Sequence, residues 1–197
     1  AMYRRGEPRD VLVYPKDGLK WEPGCGRPFR IGTSSPRRRI QLEALYPEAE
    51  FSLLRGNVLT RLEKLDSGQY DAIVLAAAGL MRLGLEERIS LYLEDQVIPS
   101  AGQGILAVQG REGEDYSYLD CIRDEKAWQA AEAERSFVRF LDGGCSSPIA
   151  AYAEEKDGSL LLRGLYYEEE TGRSVTGVLE GRPGEGKALG ERLAAEL

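Results

Sequence analysis

Two short runs in this chain carry residues suited to binding anions, and a third carries a nucleophile. In GTSSPRRR at 32–39, Ser35 suits an N-cap and Pro36 the first helical position, so a helix is expected to start there. Arg37 and Arg38 then fall in its first turn, where a helix end already carries about half a positive charge. Unpaired cations in that place cost about 0.3–1 kcal/mol each. An anion taken by the free N–H groups, the Ser34 and Ser35 hydroxyls and the two guanidiniums reverses the cost. The alternative is that the arginines splay into water or pair with Glu43 or Glu50. The run FSLLRGNVLTR repeats the arrangement, with Arg55 and Gly56 after a strand, Asn57 as a candidate N-cap and Arg61 one turn into the helix. Arg82, just past AIVLAAAGL, is a further candidate. Open parallel sheets bind ligands outside the carboxyl ends of their strands, so these arginines are expected on one rim. Arginine's planar fork holds a carboxylate or phosphate through two parallel bonds, which lysine cannot do.

The nucleophile is Cys145 in LDGGCSSP, where Gly143-Gly144 suggests an exposed, tightly turned thiol. The chain has no histidine, which excludes Ser-His-Asp and Cys-His catalysis and histidine-ligated metal sites. Covalent attachment of a group is the better role for such a thiol. Cys121 in YLDCIRD reads as a half-buried packing residue, and Cys25 lies in an irregular loop with no role assigned. Three cysteines without CxxC spacing suggest neither a disulfide framework nor a zinc site, and they favour a reducing cytoplasm.

The charge balance agrees with a small anionic ligand. Net charge is −7, yet of 26 basic residues 20 are arginine, and seven of these fall between Arg27 and Arg61 with no acid between Pro23 and Leu42. Nucleic-acid binding is disfavoured, because the chain is acidic, the patch lacks interleaved aromatics and no reader motif is present. No stretch approaches the ~18–20 apolar residues of a membrane span, and no signal peptide opens the chain.

Ala1-Met2 reads as a tag remnant outside the fold, and residues 1–29 read as an irregular lead-in with one short strand at Val11–Tyr14. FRIGT, FSLL and AIVLAAA read as strands. Pro36–Tyr46 and Val58–Leu65 read as helices, and Leu80–Leu85 and Ile89–Leu93 as helical turns. That alternation predicts a parallel α/β sheet. PSAGQGILAVQGR (99–111) reads as a glycine-rich turn and then a strand. A helix over Glu125–Leu141, strands at Ile149–Glu154, Ser159–Tyr167 and Arg173–Glu180, and a helix from about Glu185 predict a small α+β domain with a three-stranded antiparallel sheet. The abrupt helical end suggests further residues beyond Leu197.

Together, GTSSPRRR, LLRGNVLTRLEKLDSGQYDAIVLAAAGLMRLGL, PSAGQGILAVQGR and ERSFVRFLDGGCSSPIA closely resemble the porphobilinogen deaminase (hydroxymethylbilane synthase) family, nearly end to end. The resemblance implies a cytoplasmic, monomeric transferase of tetrapyrrole, porphyrin and heme biosynthesis. Such enzymes join four porphobilinogen units into a linear tetrapyrrole on a dipyrromethane cofactor, with loss of ammonia at each step. It implies a thioether from that cofactor to Cys145. Thr33, Ser34, Ser35, Arg37, Arg38, Arg55 and Arg61 are implied to hold pyrrole acetates and propionates, with Arg82 a further contact. Gly104 and Arg111 are implied to line the cofactor cleft. The implied domains are an α/β domain with its hinge lead-in at 1–100, a strip at 101–122 returning to an incomplete first domain, and a cofactor-attachment domain at 123–197.

One departure stands out. The family's S-x-K-D-x-P motif, whose aspartate works on the pyrrole nitrogens, is absent from these residues, so no catalytic residue is assigned within the chain. The expectation is a chain inactive alone, its N-terminal segment removed by truncation or proteolysis or supplied as a separate N-terminal fragment. The other reading is a non-catalytic carboxylate-binding module resembling a lobe of periplasmic binding proteins, which leaves the LDGGC loop without a purpose.

Overall fold

A computed structural model describes residues 1–144, 147–168 and 170–197. The chain forms two compact units, Arg9–Val97 and Ala1–Pro8 with Ile98–Leu197.

The Arg9–Val97 unit is built on a five-stranded sheet of β1 (Asp10–Val13), β2 (Phe29–Gly32), β3 (Ala49–Ser52), β4 (Ala72–Ala76) and β5 (Leu91–Leu93), in the order β3-β2-β4-β1-β5. β2 runs parallel to β3 and β4, as the strand–helix alternation requires, while β1 is antiparallel to β4 and β5. β1 buries side chains on both faces, Val11 and Val13 on one and Asp10 and Leu12 on the other, because both faces are covered. Val11 and Val13 pack with Leu62 and Leu65 of helix α2 (Val58–Asp66) and Leu80 of helix α3 (Ala77–Met81). Leu12, on the other face, packs with Leu42 of helix α1 (Pro36–Leu45).

Three expectations need correction here. The Val11–Tyr14 strand is not an outlying piece of an irregular lead-in but a buried central strand one residue earlier, at Asp10–Val13. Ile89–Leu93 is not helical; after a single 3-10 turn at Glu86–Arg88 the chain pairs with β1 through Leu91–Leu93. The strand proposed within 99–111 does not form, and only a single bridge joins Ala107 to Met2.

The second unit packs helices α4 (Glu125–Phe140) and α5 (Gly186–Glu196) on the antiparallel sheet β6 (Ala150–Lys156), β7 (Ser159–Glu168) and β8 (Arg173–Gly181). Phe137, fully buried, centres a core with Leu160, Leu162, Leu189 and Leu193. Truncating such a side chain to alanine costs about 3–5 kcal/mol. The two helices approach closely at Gly190, where a Cβ would run into the Ala133 carbonyl and the Phe137 amide of α4. Cys121, expected half-buried, is exposed on the 3-10 turn Ser117–Ile122.

Candidate functional site

The carboxyl ends of β2 and β3 deliver GTSS and LLRGN to the same edge of the sheet, because the two strands are parallel and in register from Phe29–Ala49 to Gly32–Ser52. Thr33 is buried there, and its hydroxyl accepts from the Ser35 amide at 3.2 Å. Ser35 caps α1 by accepting from the Arg38 amide at 3.4 Å, and Pro36 opens the helix. Ser34 stays exposed. Asn57 caps α2 in the same manner, accepting from Thr60 at 2.9 Å.

Arg37 and Arg38 neither splay into water nor pair with Glu43 or Glu50. Arg37 Nη1 donates to Asp10 Oδ2 at 2.6 Å, while Arg38 donates to Asp10 Oδ1 from Nε at 3.0 Å and Nη2 at 2.8 Å. Arg38 Nη1 donates to the Val74 carbonyl at 3.2 Å. Antiparallel pairing explains how Asp10 arrives: it opens β1 opposite Ala76, the last residue of β4, and so lies at the edge where β4 ends. Its pairing with Leu93 of β5 closes it off from the other side, and the residue is fully buried. Burial pushes the Asp10 carboxyl up, but the charges of Arg38 and Arg37 outweigh it and hold the group below its ordinary value. Burial pulls Arg37 down, against the raising effect of Asp10.

The remaining candidates divide between the two units. Arg61 is half-buried, and its Nε donates to the Gly56 carbonyl at 2.8 Å. Its pKa is lowered by burial and then by the charge of Arg38, which places the two guanidiniums within electrostatic reach of each other. Arg55 is exposed, with its carbonyl accepting from Lys64 Nζ at 2.9 Å. Arg82 is exposed at the end of α3, a whole short helix past β4. Gly104 and Arg111 belong to the other unit. Gly104 adopts φ 86° and packs on residues 6 and 7, where a Cβ would sit 2.9 Å from the Gly6 carbonyl oxygen. Arg111 is exposed, its amide donating to Tyr116 Oη at 2.7 Å. Cys145 lies outside the described residues.

The arginine-rich segment therefore serves more than one purpose. Arg27 makes a two-pronged pair with Asp71 at 2.6 and 2.8 Å, and Arg30 adds further bonds to the same carboxylate. Although burial alone would raise it, these partners hold Asp71 far below the usual carboxylate range. Asp71 directly precedes β4, so this pair lies at the opposite edge of the sheet. Arg39 pairs with Glu43 on the exposed face of α1 at 2.7 Å. Only Arg37, Arg38, Arg55 and Arg61 of the seven belong to the rim.

Two carboxylates that sequence reasoning missed organise the units. Asp10 is one. The other, Glu134 of α4, is fully buried and holds Arg5 through two 2.7 Å bonds. It also accepts from the Gly102 amide at 2.6 Å and the Ala153 amide at 2.8 Å. Glu134 thus anchors the glycine turn before Gly104 onto α4 and β6. Its one sequence signal was a lone acid amid alanines on the inner face of α4.

Among the described residues no group of three or more Cys, Asp or Glu is placed to hold a metal, and no helix is long and apolar enough to cross a membrane. The rim can instead bind carboxylates, with neutral hydroxyls and guanidiniums as donors.

Comparison with known proteins bears on what those carboxylates belong to. Residues 1–118 match the family model described as "Porphobilinogen deaminase, dipyromethane cofactor binding domain", and residues 128–197 match "Porphobilinogen deaminase, C-terminal domain". The whole chain aligns with porphobilinogen deaminases of Alkaliphilus oremlandii (50% identical), Ruminiclostridium cellulolyticum (46%) and Xanthomonas euvesicatoria (43%). It spans 65%, 66% and 65% of the length of these relatives, respectively.

Proposed function

Because the chain belongs to the porphobilinogen deaminase family, we propose that it forms part of a hydroxymethylbilane synthase. That enzyme condenses four porphobilinogen units into a linear tetrapyrrole with loss of ammonia. The observation that carries this reading is the rim at the carboxyl ends of β2 and β3. Each pyrrole unit bears an acetate and a propionate, and the rim offers Ser34, Arg38, Arg55 and Arg61 as donors, with Thr33, Ser35 and Arg37 building the turn behind them. Arg82 is an outer contact.

The donor set fits a dipyrromethane cofactor, whose carboxylates would be held by these groups while Cys145 carries the thioether. When bound, that group supplies the primer on which the chain grows. The protein's own residues bind and orient carboxylates: Arg38 is held in place by Asp10 and Val74, and Ser34 and Arg55 are exposed in the segments that follow β2 and β3. Gly104 and Arg111 are assigned to the cofactor cleft in this reading, and residues 101–122 to a first domain completed by sequence that the longer relatives carry. The proposed setting is a cytoplasmic monomer.

The acid that assists loss of the amino group is assigned outside these 197 residues, since no S-x-K-D-x-P motif occurs in them. The chain alone is accordingly expected to form no tetrapyrrole, and steady product formation by it would refute that assignment. Mass spectrometry tests the cofactor. Co-produced with the N-terminal third of a relative, the chain should carry a dipyrromethane adduct that disappears in Cys145→Ser. An unmodified thiol under those conditions would overturn the proposal.

A further inference from the structure

Behind the arginine rim lies a carboxylate that a ligand cannot reach. Asp10 is fully buried and carries one negative charge against the two positive charges of Arg37 and Arg38. A guanidinium has five N–H groups. For Arg38, three are engaged, two with Asp10 and one with the Val74 carbonyl, so two remain for a ligand among the described residues. Arg61, half-buried in the same unit, feels the charge of Arg38.

We infer that Asp10 is a positioning residue that limits the charge of the carboxylate site: it fixes the Arg38 guanidinium and cancels one of two adjacent positive charges, so carboxylates are held in place yet exchange readily. The inference rests on reading this rim as a carboxylate site. Its physical basis is the strength and weak screening of interactions between partly buried charges. A second cation without its counter-ion would bind each arriving carboxylate far more tightly. A ligand that brings two carboxylates per unit and must shift as it grows would then be trapped. Charge cancellation at Arg37 avoids this, while the three bonds on Arg38 preserve its aim.

A purely structural counter-ion would affect folding but not affinity, and a charge-swap cycle separates the two roles. Propionate and porphobilinogen are titrated in parallel at low salt against the full chain, Asp10→Asn, Arg37→Gln and the double variant. Asp10→Asn should tighten propionate binding about tenfold and make it more salt-sensitive. Arg37→Gln should weaken binding by a similar factor, and the double variant should return close to the parent. If Asp10→Asn does not fold, the comparison of Arg37→Gln with the double variant carries the test, because both keep only one guanidinium of the pair. There the added Asn must tighten propionate binding about tenfold. Unchanged or weaker binding in both comparisons overturns the inference, even if melting temperatures move. Propionate following the cycle while the chain co-produced with the N-terminal third of a relative binds no porphobilinogen would support the role of Asp10 and refute the proposed function.

Discussion

Asp10 and Glu134 are both fully buried carboxylates held by arginines, yet they are shifted in opposite directions. Asp10 faces two guanidiniums and lies below its ordinary value, although burial pushes it up. Glu134 receives one guanidinium and two backbone amides, and burial wins, leaving it above its ordinary value despite the charge of Arg5. The two differ in the charge they face: two guanidiniums outweigh burial at Asp10, whereas the single guanidinium of Arg5 does not outweigh it at Glu134. In one unit the result is a permanent anion behind an arginine rim. In the other it is a hub that ties Arg5, Gly102 and Ala153 to α4.

The comparison breaks most sharply at Asp10. Asp10→Ala removes the buried carboxylate that Arg37 and Arg38 share and should destabilise the Arg9–Val97 unit by about 3–5 kcal/mol, as read by denaturant unfolding. Glu134→Gln keeps an acceptor for one backbone amide and should cost less, about 1–3 kcal/mol.

The pH dependence of these two contributions should have opposite sign. A lowered carboxyl such as Asp10 stabilises fully above its unfolded value of 3.8 and loses that contribution as pH falls below it. A raised carboxyl such as Glu134 contributes most below its unfolded value of 4.5 and progressively less as pH rises above it. The destabilisation caused by Glu134→Gln should therefore shrink between pH 5 and pH 8, whereas the Asp10→Ala deficit stays flat there. Unfolding curves across that range that show the same slope for both variants would dissolve the contrast.

Smaller effects sharpen the picture on the rim. Arg38→Lys cannot serve both Asp10 and Val74 while presenting a fork, and should weaken propionate binding about five- to tenfold by calorimetry. Arg39→Ala removes only an exposed pair with Glu43. It should change stability by less than about 0.5 kcal/mol and leave propionate affinity untouched. An Arg39→Ala effect on binding as large as that of Arg38→Lys would mean the run acts as a diffuse charge patch rather than a built site.

Much of the fold was legible because its signals are local. Ser35-Pro36 and Asn57 start helices by capping chemistry that needs no distant partner. The turns Lys156–Gly158 and Glu170–Gly172 separate strands whose alternating apolar residues show one buried face, and the antiparallel sheet follows. Where the reading failed, pairing at long range decided. Ile89–Leu93 is too short to distinguish helix from strand by pattern, and β1, some 80 residues earlier, settles it. The segment 99–111 has apolar residues for a strand but finds only Met2 to bridge. Cys121 seemed set for packing by its neighbours, yet its 3-10 turn leaves it exposed.

By itself the sequence determined the chemistry on offer: arginines and hydroxyls at two helix starts, a glycine-flanked Cys145, no histidine, and the motifs that assign the chain to its family. It did not determine which arginines are available. The tertiary structure divides them, sending Arg27 and Arg30 to Asp71 at one edge of the sheet and Arg37 and Arg38 to Asp10 at the other. That division depends on β1 running antiparallel beside β4, which places an acid from the start of the chain behind cations almost thirty residues later. Capping is local, and so readable from neighbours. Compensation of buried charge is not, because it depends on which strands meet.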